Sequence, residues 1–147
     1  MNNNYGIDIW SDGNFIIEDG LAKVNHDCKP SLISIVKDIR KQDFKGPLLL
    51  RFPHITNKQI TTLFDTFNAS IKEYDYKGTF SAVFPLKVNQ LPNFVHPLVS
   101  IGKKYNYGLE AGSKAELIIA MTYNTIGSPI TINGFKDKEM IHLCFIA

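Results

Sequence analysis

One run constrains the fold of this chain more than any other: Thr79-Phe80-Ser81-Ala82-Val83-Phe84-Pro85-Leu86-Lys87-Val88-Asn89. Apolar and small side chains continue almost unbroken from Phe80 to Leu86, the pattern of a parallel strand covered on both faces. Side chains alternate along a strand, so Phe80, Ala82, Phe84 and Leu86 share one face and Ser81, Val83, Pro85 and Lys87 the other. The bulkier set suits packing against helices. The slimmer set would line a barrel or crevice and carry Lys87 at its mouth, where α/β folds keep their chemistry. Burial there would lower the pKa of the lysine and free its amine for Schiff-base formation. The plainer alternative is a lysine that leaves the sheet and reaches water.

A strand of this kind needs neighbours, and the rest of the chain supplies a rhythm. Leu48-Leu49-Leu50-Arg51-Phe52 reads as a first buried strand, stopped by Pro53. A helix capped by Thr56 and Gln59 follows, with Ile60, Leu63, Phe64, Phe67, Ile71 and Tyr74 at helical spacing. The Lys87 strand is second and leads into a helix around Phe94 to Lys103, its ends blurred by Pro92 and Pro97. Tyr107 to Ala111 is a third strand, followed by a helix capped by Ser113 and Glu116 that runs to about Tyr123. Ile130 to Asn133 is a fourth, with a helix from near Asp137 that buries Met140, Leu143, Cys144 and Ala147. Ahead of these units, Tyr5 to Trp10 and Phe15 to Ile17 flank Ser11-Asp12-Gly13-Asn14 as a hairpin. A short helix then places Leu32, Ile35, Val36 and Ile39 on one face, with Pro30 and Ser31 as its start signals.

Four successive strand-helix units imply an α/β fold with a parallel sheet. A complete (β/α)8 TIM-like barrel takes roughly 250 residues, and this chain has 147 and ends on apolar Phe145-Ile146-Ala147. The expected architecture is therefore the N-terminal part of such a barrel, truncated, in residues 46–147. A hairpin-and-helix segment in residues 1–45 precedes it. A complete four-stranded open sheet is the alternative. A half barrel leaves sheet edges and an inner face open, which favours a complementary C-terminal half as partner.

Composition removes other classes. A hydrophobic share of 44% with 20% charged residues belongs to a globular chain rather than a disordered one. The net charge of +2, from scattered lysines, gives no nucleic-acid footprint. Cys28 and Cys144 match no metal or redox spacing and read as reduced thiols, pointing to the cytoplasm. Met1-Asn2-Asn3-Asn4 has no signal-peptide character, and no apolar run is long enough to cross a bilayer.

The chemistry candidates gather at the strand ends. Lys87 and Glu110 end adjacent strands, so a barrel brings them to one rim, where a carboxylate would orient the amine or shuttle its proton. An ordinary ion pair is the competing reading. Glu116 divides between that rim and a purely structural role as the capping partner of Ser113. Arg51 ends the first strand and would also reach the rim. Gly108, Gly112 and Gly134 flank strand ends, where a backbone approaches a ligand closely, though turn chemistry explains them equally. His26, His54, His96 and His142 show no metal-ligand spacing. No Ser-His-Asp arrangement or P-loop can be assembled.

Val83-Phe84-Pro85-Leu86-Lys87-Val88-Asn89-Gln90, followed by Tyr107-Gly108-Leu109-Glu110-Ala111-Gly112-Ser113-Lys114-Ala115-Glu116-Leu117, closely resembles the biosynthetic arginine decarboxylases. These are pyridoxal-phosphate enzymes of the alanine-racemase-like, fold type III class. The likeness begins at Tyr5-Gly6-Ile7-Asp8-Ile9-Trp10, continues through Pro47 to Phe52, and reaches Ile132-Asn133-Gly134-Phe135-Lys136-Asp137. Ornithine and diaminopimelate decarboxylases share only the sparser lysine-strand and Ser-Lys-x-Glu patterns.

The resemblance implies that Lys87 carries pyridoxal 5'-phosphate as a Schiff base and that Glu110 and Glu116 lie beside that linkage. It implies decarboxylation of L-arginine to agmatine, feeding polyamine and spermidine synthesis, in a cytoplasmic homo-oligomer associated with magnesium. No residue here is assignable as a metal ligand. In this family the acidic partner of the pyridine nitrogen, the main phosphate-binding loop and the substrate-recognition residues lie further along the chain than residue 147. The resemblance therefore implies a portion of the enzyme that is inactive alone. A non-catalytic assembly module remains the reading from a different class.

Overall fold

The computed structural model describes residues 6–147, which divide into two compact units, 6–51 and 52–147. In the first, Ile7–Trp10 form one helical turn, α1, entered from Gly6 at φ 66°. The hairpin follows rather than includes this segment: β1 (Phe15–Glu18) pairs antiparallel with β2 (Leu21–Val24). Its two-residue turn is Asp19-Gly20, both at positive φ (55° and 72°), the geometry that matches the twist of paired strands. The expected turn at Asp12-Gly13 also has positive φ, but it joins α1 to β1. The strand expected over Tyr5 to Trp10 is thus corrected from Ile7 onward, and Tyr5 lies outside the described residues. Two Asp-Gly pairs compete for one hairpin, and only the second has apolar strands on both sides.

Helix α2 (Leu32–Arg40) starts where expected, with the Ser31 side chain accepting the Ser34 N–H at 3.1 Å. Its Leu32, Ile35, Val36 and Ile39 are half-buried. Val24 at the end of β2 is fully buried, and its N–H donates to the Pro30 carbonyl at 2.9 Å.

Leu48–Phe52 is not a strand. Leu49 is 76% exposed and Arg51 is exposed. An apolar run becomes a strand only when a neighbour completes its ladder, and Pro47 and Pro53 bracket this one too closely for a long ladder. The parallel sheet accordingly has three strands, not four: β3 (Val83–Pro85), β4 (Gly108–Ala111) and β5 (Ile130–Ile132), in that order. The intervening helices are α4 (Pro92–Gly102) and α5 (Lys114–Tyr123), and α6 (Lys138–Ile146) follows β5. Helix α3 (Pro53–Glu73) begins three residues before the expected Thr56 cap, because Pro53 occupies the first turn, where a missing N–H costs nothing.

The register places Phe84, Leu109 and Ile130 side by side on one sheet face. That face packs on Ile60 and Phe64 of α3, on Val95, Leu98 and Val99 of α4 and on Ala120 of α5. Phe80, Ala82 and Leu86 join the same core, as expected, although all three lie outside β3. Phe64 stacks on Tyr105 with centroids 4.5 Å apart, and Phe67 on Phe80. Ala111 and Ile132 pack on Leu117 and Met140, which fix α5 and α6. The opposite sheet face carries Pro85, Glu110 and Thr131 in register. Of the four residues expected to bury α6, Met140 is buried, Leu143 and Cys144 half-buried and Ala147 exposed.

Gly108 is required by the sheet itself: a methyl at its Cα would collide with the Pro129 carbonyl oxygen. That oxygen accepts the Leu109 N–H at 3.1 Å, so the space is occupied by the bond that joins β4 to the segment entering β5.

Candidate active site

The polar sheet face ends at a rim built from three successive strand ends. Strand β3 stops at Pro85, and Leu86–Val88 turns as one 3-10 helix. Leu86 is driven wholly into the core, at 0% exposure, while Lys87 is carried over the sheet edge. Lys87 therefore sits on a turn after the strand rather than on the strand. Its side chain is 61% exposed, so the water-excluded position expected for it is not that of this chain. Its Nζ stands 3.9 Å from Glu110 Oε1, across the β3–β4 edge.

Glu110 is positioned by β4, whose neighbours Leu109 and Ala111 are both 0% exposed and lock its direction away from the helices. Its side chain is only 16% exposed. The Asn133 Nδ2 donates to its Oε1 at 3.1 Å, from the residue just past β5. The Asn133 Oδ1 accepts the Gly134 N–H at 2.8 Å, which fixes the amide orientation.

Glu116 lies in the first turn of α5 and is 9% exposed. Its N–H donates to Ser113 Oγ at 3.2 Å, half of a capping box. The other half is displaced by one residue: Glu116 Oε2 accepts the N–H of Gly112, at 2.7 Å, rather than that of Ser113. Its Oε1 accepts from Gln90 Nε2 at 3.2 Å. Glu116 therefore ties the loop after the Lys87 turn to the loop after β4. Gly134, at φ 72°, backs this loop so closely that a side chain would strike the Gly112 carbonyl oxygen.

Lys87 and Glu110 are thus brought together, with Glu116 behind the loop that supports them. Arg51 lies outside the unit that holds this rim. The residues missed by sequence reasoning are Asn133 and Gln90. Asn133 is the last residue of the fourth predicted strand, where the strand-end rule that selected Lys87 and Glu110 also applies. Gln90 lies in the quoted lysine motif, but nothing in its spacing points to Glu116.

Next to the rim, Lys114 bridges α5 and α6, pairing with Asp137 at 2.9 Å and with Glu139. These carboxylates hold the Lys114 ammonium above its ordinary value, Glu139 contributing most. The Asp137 carboxyl is held below its ordinary value, first by the Met140 N–H that it caps and then by Lys114. Among the described residues, no group of three or more His, Cys, Asp or Glu side chains is arranged to hold a metal ion.

Fold and rim define an α/β protein with a lysine-carboxylate pair at the carboxyl edge of a parallel sheet. Known proteins narrow that class. The biosynthetic arginine decarboxylase of Tolumonas auensis is 38% identical over 93% of this chain, and that of Prochlorococcus marinus strain AS9601 is 36% identical over 97%. The crystal structure of the biosynthetic arginine decarboxylase SpeA from Campylobacter jejuni matches 97% of the chain at 59% identity and a TM-score of 0.94. No family model matches. The chain is a homologue of biosynthetic arginine decarboxylase, corresponding to its N-terminal portion. It spans about a quarter of the relatives' length: 23% of each of the two enzymes and 24% of the crystallised chain.

Proposed function

We propose that this chain is the cofactor-bearing portion of a pyridoxal-phosphate-dependent arginine decarboxylase, which converts L-arginine to agmatine and carbon dioxide in the cytoplasm. One observation carries the reading: a reachable primary amine, Lys87 Nζ, stands 3.9 Å from the Glu110 carboxylate at the carboxyl edge of a parallel sheet, in a chain whose homologues are named for this reaction. The three strands would then be consecutive strands of a fold type III barrel whose remaining strands lie beyond these residues. A homo-oligomer and a complementary C-terminal half belong to the same reading.

The residues fit the aldehyde end of pyridoxal phosphate. That group needs an amine that is exposed enough to reach and placed where a neighbouring carboxylate can take up its proton. When bound, the cofactor withdraws the electrons released as a carboxylate leaves. Lys87 Nζ would be the amine that holds the cofactor, and it would stay within reach to carry a proton at that position. Glu110 balances the charge of that nitrogen and passes protons at Oε1. Glu116 acts at one remove, fixing the Gly112 loop and Gln90 so that the Lys87 turn and β4 keep their spacing. Magnesium finds no cluster of ligands among the described residues, and no step is assigned to it.

Equilibrium binding of pyridoxal phosphate tests the proposal. The cofactor absorbance should shift on adding the chain, and Lys87→Ala should weaken binding by at least about tenfold, since a covalent anchor is lost. Equal binding by both forms would overturn the assignment.

A further inference from the structure

Two groups converge on one oxygen. Asn133 Nδ2 donates to Glu110 Oε1 at 3.1 Å, and Lys87 Nζ stands 3.9 Å from the same atom. Elsewhere in this chain lysines close fully on carboxylates, as Lys41 does on Asp38 at 2.7 Å and Lys23 on Glu18 at 2.8 Å. The separation at the rim is therefore not the usual outcome for such a pair. The Asn133 amide is not free to turn, because its Oδ1 is held by the Gly134 N–H at 2.8 Å. Its backbone N–H donates to the Ala111 carbonyl at 2.9 Å, which anchors it to the strand that carries Glu110.

We propose that Asn133 is a positioning residue: by occupying Glu110 Oε1 it keeps the carboxylate beside Lys87 but out of contact, which leaves Nζ available to attack a carbonyl carbon. The inference rests on reading Lys87 as the carbonyl-binding amine. Contact with a carboxylate favours the ammonium over the neutral amine, and only the neutral amine has a lone pair for attack. Without the amide donor, Glu110 Oε1 loses its competing partner and closes on Nζ.

Reductive methylation with formaldehyde and cyanoborohydride, mapped by mass spectrometry, reads the availability of the Lys87 amine without any cofactor. Exposed Lys72 in the same chain serves as the internal reference. Asn133→Leu is expected to slow Lys87 labelling about threefold relative to Lys72, the scale of an exposed ion pair. In a Glu110→Gln background the same substitution should change nothing, which a merely structural role of Asn133 would not produce. Unchanged or faster labelling in Asn133→Leu, or equal slowing in the Glu110→Gln background, would overturn the proposal. Should the leucine form fail to fold, Asn133→Ser adds no charge, keeps a shorter acceptor for the Gly134 N–H and is expected to slow labelling in the same direction. If this pattern holds while pyridoxal phosphate does not attach to Lys87, the cofactor reading fails and the role of Asn133 stands.

Discussion

At the scale of single residues, Glu116 and Gly134 carry the support of the rim. Glu116 is buried, and its two oxygens accept from Gly112 and Gln90. Glu116→Ala leaves both donors without that partner and should cost roughly 2 kcal/mol in chemical denaturation. Glu116→Gln keeps one acceptor and should lose less. Gly134→Ala combines a left-handed backbone with a collision against the Gly112 carbonyl, and should cost roughly 1–3 kcal/mol by the same measurement. Lys87 and Glu110 were legible in the sequence because residues at the carboxyl ends of adjacent parallel strands must meet at one edge. The position of Asn133 at a strand end was equally legible, but its part was not, because that depends on which way an amide points, and sequence spacing holds no record of that.

Among elements, the helices were read well where a local signal stood alone. The helices expected to start at Ser31, Ser113 and near Asp137 do so, and each of these residues caps its helix with its side chain. Errors came where two signals competed or a partner was needed. Asp19-Gly20 displaced Asp12-Gly13 as the hairpin turn, and Leu48–Phe52 had strand composition without a ladder. The α5–α6 link has a pH signature. The folded-state pKa of Asp137 lies below its unfolded value, so its stabilisation is full above the ordinary aspartate value of about 4 and is lost as pH falls through the lower folded value. Asp137→Ala should therefore lower the melting temperature at pH 7, and the gap from the unsubstituted chain should shrink progressively below about pH 4. A constant gap across that range would show that the carboxylate charge contributes nothing.

At the scale of the whole molecule, the sheet has a covered face and a polar face. The covered face buries Phe84 and Leu109 against α3, α4 and α5. The polar face carries Glu110 and Thr131 in register, and on the proposed reading it is a barrel interior completed by further strands. Among the described residues no helix is long and apolar enough to cross a membrane. On the proposed reading, the chain alone supplies the anchoring amine but neither the group that tunes the pyridine nitrogen nor the substrate pocket. Purified chain given pyridoxal phosphate and L-arginine should release negligible agmatine, as read by chromatography. Robust turnover would mean that these residues suffice for the chemistry.

The central claim concerns one nitrogen, and covalent trapping addresses it directly. The chain is incubated with pyridoxal phosphate, reduced with borohydride and digested, and the peptides are sequenced by mass spectrometry. The account predicts that the phosphopyridoxyl group is found predominantly on Lys87 and that this adduct disappears in Lys87→Arg. Modification spread evenly over the exposed lysines, or concentrated on a lysine remote from Glu110, would contradict it.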